Sequence, residues 1–155
     1  MKGFVKKWHK IVENRDENAL NELLDDNVMF YSPVVFTPQK GKKMTKAYLL
    51  AALEVLVAPE ANFSYVKETI DTDKCVLEFN ASIDGIIING VDMISLNAEG
   101  KIIEFKVMVR PLQGINKLHE KMGEILKNYK KAEAKKEMKK LIKSPFSFLK
   151  KLIGK

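Results

Sequence analysis

"GVDMISLNAEGKIIEFKVMVRP" (Gly90–Pro111) reads as two β-strands joined by a short turn. The flanking runs are "IIINGVDMISL" (86–96) and "KIIEFKVMVR" (101–110), with "NAEG" (97–100) as the turn between them. In the later strand, Ile103, Phe105, Val107 and Val109 alternate and are expected on one face. In the earlier strand, Val91, Met93, Ile94 and Leu96 are what a buried strand wants, and Asp92 is the misfit. A carboxylate among apolar neighbours is costly unless it is partnered or neutral. Asp92 is therefore expected to line an internal pocket, with acceptance of a bond from a neighbouring strand hydroxyl or tyrosine, or an outward position at a dimer surface, as the alternatives.

Upstream, "CVLEFNASI" (75–83) places Leu77, Phe79, Ala81 and Ile83 on one face, and "DG" at 84–85 links it to the strand that follows. "NFSYVKETI" (62–70) adds another strand, so the four runs predict an antiparallel meander. Helices precede it. Val5, Trp8, Ile11 and Val12 recur at helical spacing within 2–14. Asp16 is placed to cap a second helix carrying Leu20, Leu23 and Leu24. "NVMFYSP" (27–33) is β-rich and stopped by its proline, and Thr45 is expected to cap a helix bearing Tyr48, Leu49, Ala52, Leu53 and Leu56. Helices followed by a meander predict an α+β fold, a curved antiparallel sheet with helices packed on its concave face.

With 155 residues, the chain is the size of a single domain. Its net charge of +7 is unevenly placed. Residues 1–115 carry 14 Lys and Arg against 16 Asp and Glu, whereas residues 116–155 carry 13 Lys against 4 Glu. The expected division is an α+β barrel domain over 1–115 and a lysine-rich amphipathic helical tail over 116–155. A single cysteine, Cys75, excludes a disulfide within the chain. The charged N-terminus lacks the apolar core of a signal peptide, and no run is long enough to span a membrane. A cytoplasmic protein is expected.

The segments "ENRDENALNELLDDNVMFYSPVVFTPQKGKKMTKAYLLAA" (13–52) and Gly90–Pro111 together resemble the nuclear transport factor 2-like superfamily, in particular its SnoaL-like branch with the ketosteroid isomerase and polyketide cyclase fold. The resemblance covers about residues 3–115. It implies a cone-shaped cavity between sheet and helices, and a homodimer formed through the outer sheet face. The fold hosts isomerases, cyclases, epoxide hydrolases, ligand binders and non-catalytic modules, so activity has to be argued from the site.

In the ketosteroid isomerase pattern, the resemblance places Asp92 on the carboxyl that stays protonated and donates a hydrogen bond. Ser32, before Pro33, falls where the base belongs, and Trp8 falls where a tyrosine belongs. A serine cannot serve as the carboxylate base, and an indole N–H only donates. The epoxide-hydrolase pattern needs an arginine where Gly90 stands and an acid where Val107 stands. Asp92 is thus the single candidate catalytic group. Trp8, Tyr31, Ser32, Tyr48, Tyr65, Phe79 and Phe105 are the candidate ligand-lining residues, with ordinary core packing as the alternative for the aromatics. Arg110 is expected to form a salt bridge within the fold. His9 and His119 stand alone and read as solvated, so no metal and no cofactor are expected. Nucleotide loops and nucleophile elbows are absent from the sequence.

The tail supports three readings. Lys143, Phe146, Leu149, Lys150, Lys151 and Leu152 belong to an amphipathic pattern suited to an anionic membrane surface, which would hold the protein at the inner membrane face. Packing on the body or on a partner is the second reading. Nucleic-acid binding is the weakest, because the tail has no arginine and no aromatic stacking platform. The functional expectation is a domain that binds a small apolar molecule, with chemistry at Asp92 or without it. The alternatives are a non-catalytic dimeric scaffold with a membrane-surface tail, and an isomerase or cyclase acting on an apolar carbonyl compound.

Overall fold

A computed structural model of the chain describes residues 1–142. The membrane-tail residues Lys143, Phe146, Leu149, Lys150, Lys151 and Leu152 lie outside the described residues. The elements run α1 (Lys2–Asn14), α2 (Glu17–Leu23), β1 (Leu24–Tyr31), β2 (Gln39–Lys40), α3 (Lys42–Leu56), a 3-10 turn (Pro59–Ala61), β3 (Ser64–Ile70), β4 (Lys74–Ile83), β5 (Ile86–Leu96), β6 (Ile102–Arg110) and α4 (Leu112–Ile142). The strands form one six-stranded sheet in the order β2-β1-β6-β5-β4-β3. The architecture is the expected α+β one, a curved open sheet with helices against it.

Local sequence sets most of these elements. Val5, Trp8, Ile11 and Val12 are the buried stripe of α1. Asp16 caps α2 by accepting the Ala19 N–H at 2.9 Å. Asp84 and Gly85 both have positive φ, 50° and 80°, which makes the tight turn between β4 and β5. From Cys75 to Ile83, alternate residues of β4 are buried and the residues between them are not.

Five local expectations are corrected. β1 joins the sheet parallel to β6, so the sheet is mixed rather than wholly antiparallel. The inward residues of β5 are Ile88, Gly90, Asp92, Ile94 and Leu96, whereas Met93 is 39% exposed. Strand alternation admits only one of the two sets, and the carboxylate belongs to the inner one. In β6 the register slips between Ser95 and Leu96, whose partners are Glu104 and Ile102. Ile103 is the extra residue of this bulge, so Ile102 is buried and Ile103 turns outward. Thr45 is not a cap. Gly41 precedes α3, and Thr45 is buried within the helix. Leu24, expected on the second helix, begins β1 instead.

The core falls into two apolar clusters. The larger joins α1, α2, α3 and the sheet around Trp8, Leu20, Leu24, Val28, Phe30 and Phe105. The smaller joins Leu56, Phe79, Ala81, Ile83, Ile88 and Leu118, and so includes α4. Phe63, Tyr65 and Val107 pack against both, and the cavity opens at this junction. Among the described residues, no helix is long and apolar enough to cross a membrane.

Candidate functional site

The cavity is walled by Trp8 of α1, Leu49, Leu53 and Leu56 of α3, Phe63 and Tyr65 at β3, Phe79 of β4, Asp92 of β5, and Phe105 and Val107 of β6. Phe30 of β1, Ser32, Pro33 and Val34 after it, Ala52 of α3, and Leu118 and Met122 of α4 complete it. The free space inside is about 50 Å³. At roughly 10–15 Å³ per water on this measure, it holds a few waters as it stands.

Asp92 is 7% exposed and accepts a hydrogen bond at Oδ2 from the Tyr65 hydroxyl, 3.0 Å away. Trp8 Nε1 lies 2.7 Å from the same hydroxyl oxygen. The direction of this chain follows from chemistry. An indole N–H can only donate, so Tyr65 accepts from Trp8 and its own proton is left for Asp92. Tyr65 thus holds one carboxyl oxygen, Oδ2, and does not engage the other. Burial raises the Asp92 pKa from 3.8 to about 7, with the bond from Tyr65 opposing the rise. Burial also raises the Tyr65 pKa well above its usual 10.0, and the charge of Asp92 adds to it. Near neutral pH, Asp92 therefore exchanges between a hydrogen-bond donor and an acceptor within an apolar chamber.

Two neighbouring rings hold Tyr65 in place. The His9 ring stacks on Tyr65 with centroids 4.9 Å apart and planes 16° from parallel. Its Nε2 is 2.9 Å from Glu68 Oε1. His9, read as solvated from sequence, is thus a neighbour of the site. Phe63 meets the other side of Tyr65 edge-on, at 5.0 Å and 87°.

Six expected residues line the cavity together: Trp8, Ser32, Tyr65, Phe79, Asp92 and Phe105. Tyr31 and Tyr48 do not. Tyr31 alternates with the inward Phe30 along β1, and Lys106 Nζ lies 4.7 Å from its ring centroid. Tyr48 packs on Phe30 from outside the cavity, with centroids 5.5 Å apart. The Ser32 hydroxyl accepts the Val34 N–H at 3.1 Å, a local turn rather than a base in waiting. Gly90 and Val107 leave the epoxide-hydrolase positions apolar, and Val107 sits opposite Asp92 in the sheet register. Arg110 donates to Asn89 Oδ1 at 2.8 Å, on the outer face of the sheet, in place of the expected salt bridge. Leu118 and Met122 were legible as an apolar stripe but not as cavity wall. Among the described residues, no group of three or more His, Cys, Asp or Glu is placed to hold a metal ion.

An open α+β cone around one buried carboxyl defines a nuclear transport factor 2-like domain. The chain belongs to this superfamily, which includes the SnoaL-like proteins. It is similar to a steroid delta-isomerase from Pseudomonas aeruginosa, with 32% identity and a TM-score of 0.75 over 83% of this chain and 92% of that one. An NTF2-like protein of unknown function from Mesorhizobium loti aligns with a TM-score of 0.62 at 17% identity, over 71% of this chain and 90% of that one. A SnoaL-like protein of unknown function from Burkholderia thailandensis aligns with a TM-score of 0.58 at 15% identity, over 71% and 94%. These last two likenesses concern the fold alone. No protein-family model and no curated protein matches the chain. The similarities support a ligand-binding or isomerase- or cyclase-type domain.

Proposed function

We propose that the protein binds a small apolar molecule carrying one carbonyl, and that protonated Asp92 donates a hydrogen bond to that oxygen. The observation behind this reading is the Asp92 carboxyl itself. It is buried, faces an aromatic and aliphatic chamber, and has only one of its two oxygens held by Tyr65. Pockets of this type combine an apolar lining with few orienting polar groups. Native mass spectrometry of the purified protein, followed by solvent extraction, tests it. A stoichiometric apolar carbonyl compound is expected, retained by Asp92→Asn and present at lower occupancy in Asp92→Leu. A clean unliganded mass, together with unchanged Trp8 emission on titration with short methyl ketones, overturns it.

Isomerase chemistry is the second reading, favoured by the similarity to the Pseudomonas aeruginosa steroid delta-isomerase. A carboxyl with a pKa of about 7 is well matched to proton transfer at neutral pH. Against it stands the state of the titratable groups near Asp92: burial and the charge of Asp92 raise both Tyr65 and Cys75, the thiol to about 11, so neither is poised to exchange a proton at neutral pH. An Asp92-dependent pH–rate profile on a carbonyl substrate would distinguish catalyst from carrier.

The outer sheet face exposes Ile87, Met93, Ile103 and Met108, at 74%, 39%, 39% and 55%. This apolar face supports the homodimer reading, which sedimentation velocity tests. The anionic membrane surface is kept as a proposed partner of the tail, tested by vesicle co-sedimentation with and without residues 144–155.

A further inference from the structure

The cavity and its proposed use do not match in size. About 50 Å³ is free, whereas pockets for drug-sized ligands are on the order of 300–1,000 Å³. Part of the wall must therefore yield or end short. The sheet strands are tied by ladders, unbroken between β4 and β5, and α3 contributes the buried Leu49, Leu53 and Leu56. α4 is different. Its contribution is two residues four apart on one face, Leu118 and Met122. Leu118 is 2% exposed and belongs to the inner cluster, whereas Met122 is only partly buried and packs at that cluster's edge. Methionine is unbranched and adapts to irregular space. A Cβ added to the adjacent Gly123 would meet nothing within 4 Å, so open space adjoins this point.

The start of the helix is anchored. A Cβ added at Gly114 would lie 2.9 Å from Ile88 Cγ1, so the first turn presses on β5. Beyond it, Lys117 and Lys121 reach Asp84 Oδ2 at 3.8 and 3.1 Å, tying α4 to the turn between β4 and β5. These are partly exposed ion pairs, which are individually weak and salt-sensitive.

We infer that α4 gates the cavity, latched by Lys117 and Lys121 on Asp84, and that Met122 limits the length of ligand the cavity accepts. This rests on the carbonyl-ligand reading above. The gate itself can be tested without a ligand, because Trp8 lines the cavity and is the only tryptophan of the chain.

The experiment uses the full chain, acrylamide quenching of Trp8, and titration with methyl ketones from 2-butanone to 2-undecanone. The variants are Met122→Ala, Met122→Leu and Asp84→Asn. Asparagine tolerates the positive φ of position 84, so the last variant cuts the latch and keeps the turn. Quenching is expected to rise in Met122→Ala and Asp84→Asn, and to stay at the wild-type level in Met122→Leu. Each added CH₂ should tighten ketone binding about fourfold until a length limit is reached. Met122→Ala removes the last heavy atoms of the side chain and should move the limit about three carbons further. Asp84→Asn should leave the limit unchanged.

Unchanged quenching in both Met122→Ala and Asp84→Asn overturns the gate, whether or not ketones bind. Ketone binding with the same limit in Met122→Ala overturns the role of Met122. Raised quenching with no ketone bound to any variant leaves the gate standing and removes the carbonyl-ligand reading instead.

Discussion

Tyr65 donates to Asp92 across 3.0 Å, and the Trp8 indole, 2.7 Å away on the other side, fixes the direction of that donation. The three side chains come from β3, β5 and α1, so the contact closes the helix layer onto the sheet inside the cavity. Tyr65→Phe leaves the buried Trp8 N–H without its acceptor and Asp92 without its donor. An unsatisfied buried polar group costs about 1–3 kcal/mol. Urea denaturation at pH 6 should register a loss of this size, with Tyr65→His or another donor recovering part of it. A loss no greater than that of the half-buried Tyr31→Phe, outside the cavity, would mean that the chain is ornamental.

Asp92 also gives the folded protein a particular pH dependence. Its pKa is raised from 3.8 to about 7, so between those values the folded state holds a proton that the unfolded chain has released. The stability linked to Asp92 is fully present below about 4 and is lost as pH rises through about 7. The whole effect is on the order of 4 kcal/mol. Asp92→Asn cannot titrate and should lack this loss. Compared by urea denaturation at pH 5 and pH 8.5, the variant should gain on the wild type at the higher pH. Parallel pH profiles for the two proteins would rule out a carboxyl buried as described.

Gly90 lies directly opposite Phe79 in the ladder between β4 and β5. A Cβ at this position would strike the tip of the Phe79 ring and stand 2.7 and 2.8 Å from its flanking carbons. The glycine thus lets the ring lie flat on the sheet and form the cavity floor. Gly90→Ala must push the ring into the remaining space or spread the strands. Overpacking of this kind costs about 1–3 kcal/mol. Thermal unfolding should show the loss, and Phe79→Leu in the same chain should relieve part of it. Equal costs with and without the Phe79 change would place the strain elsewhere.

Much of this was legible in the sequence because period and turn chemistry are local signals. The stripe of α1, the Asp16 cap, the Asp84–Gly85 turn and the face of β4 all follow from neighbours within a few residues. The oddity of Asp92 was legible for the same reason, and so was the likeness to the superfamily. What failed depended on distant partners. The bulge at Ile103 arises from pairing with β5, and no pattern within β6 announces it. The parallel placement of β1 beside β6 is a matter of topology. Tyr31 and Tyr48 carry polar atoms that suit a pocket, but the side of an element a residue occupies is set by the register of its neighbours. Met122 and His9 were read on their own helices, and their roles appear only when α4 meets the sheet and α1 meets β3.

The carbonyl-ligand reading carries a pH signature that differs in sign from nonspecific apolar binding. Below about pH 7, Asp92 keeps its proton and can donate from the oxygen that Tyr65 leaves unoccupied. Above it, the carboxylate offers a ligand oxygen only repulsion. Affinity for a short methyl ketone, read from Trp8 emission, should therefore fall between pH 6 and pH 9. Asp92→Asn keeps an N–H donor at both values, so its affinity should be flat across the range. Asp92→Leu has no donor and should be weaker than Asp92→Asn by up to roughly tenfold at either pH, the worth of one net hydrogen bond. An alkane of similar size lacks the acceptor and should show no fall with pH beyond that of protein stability. If ketone and alkane respond to pH alike, Asp92 does not orient the ligand.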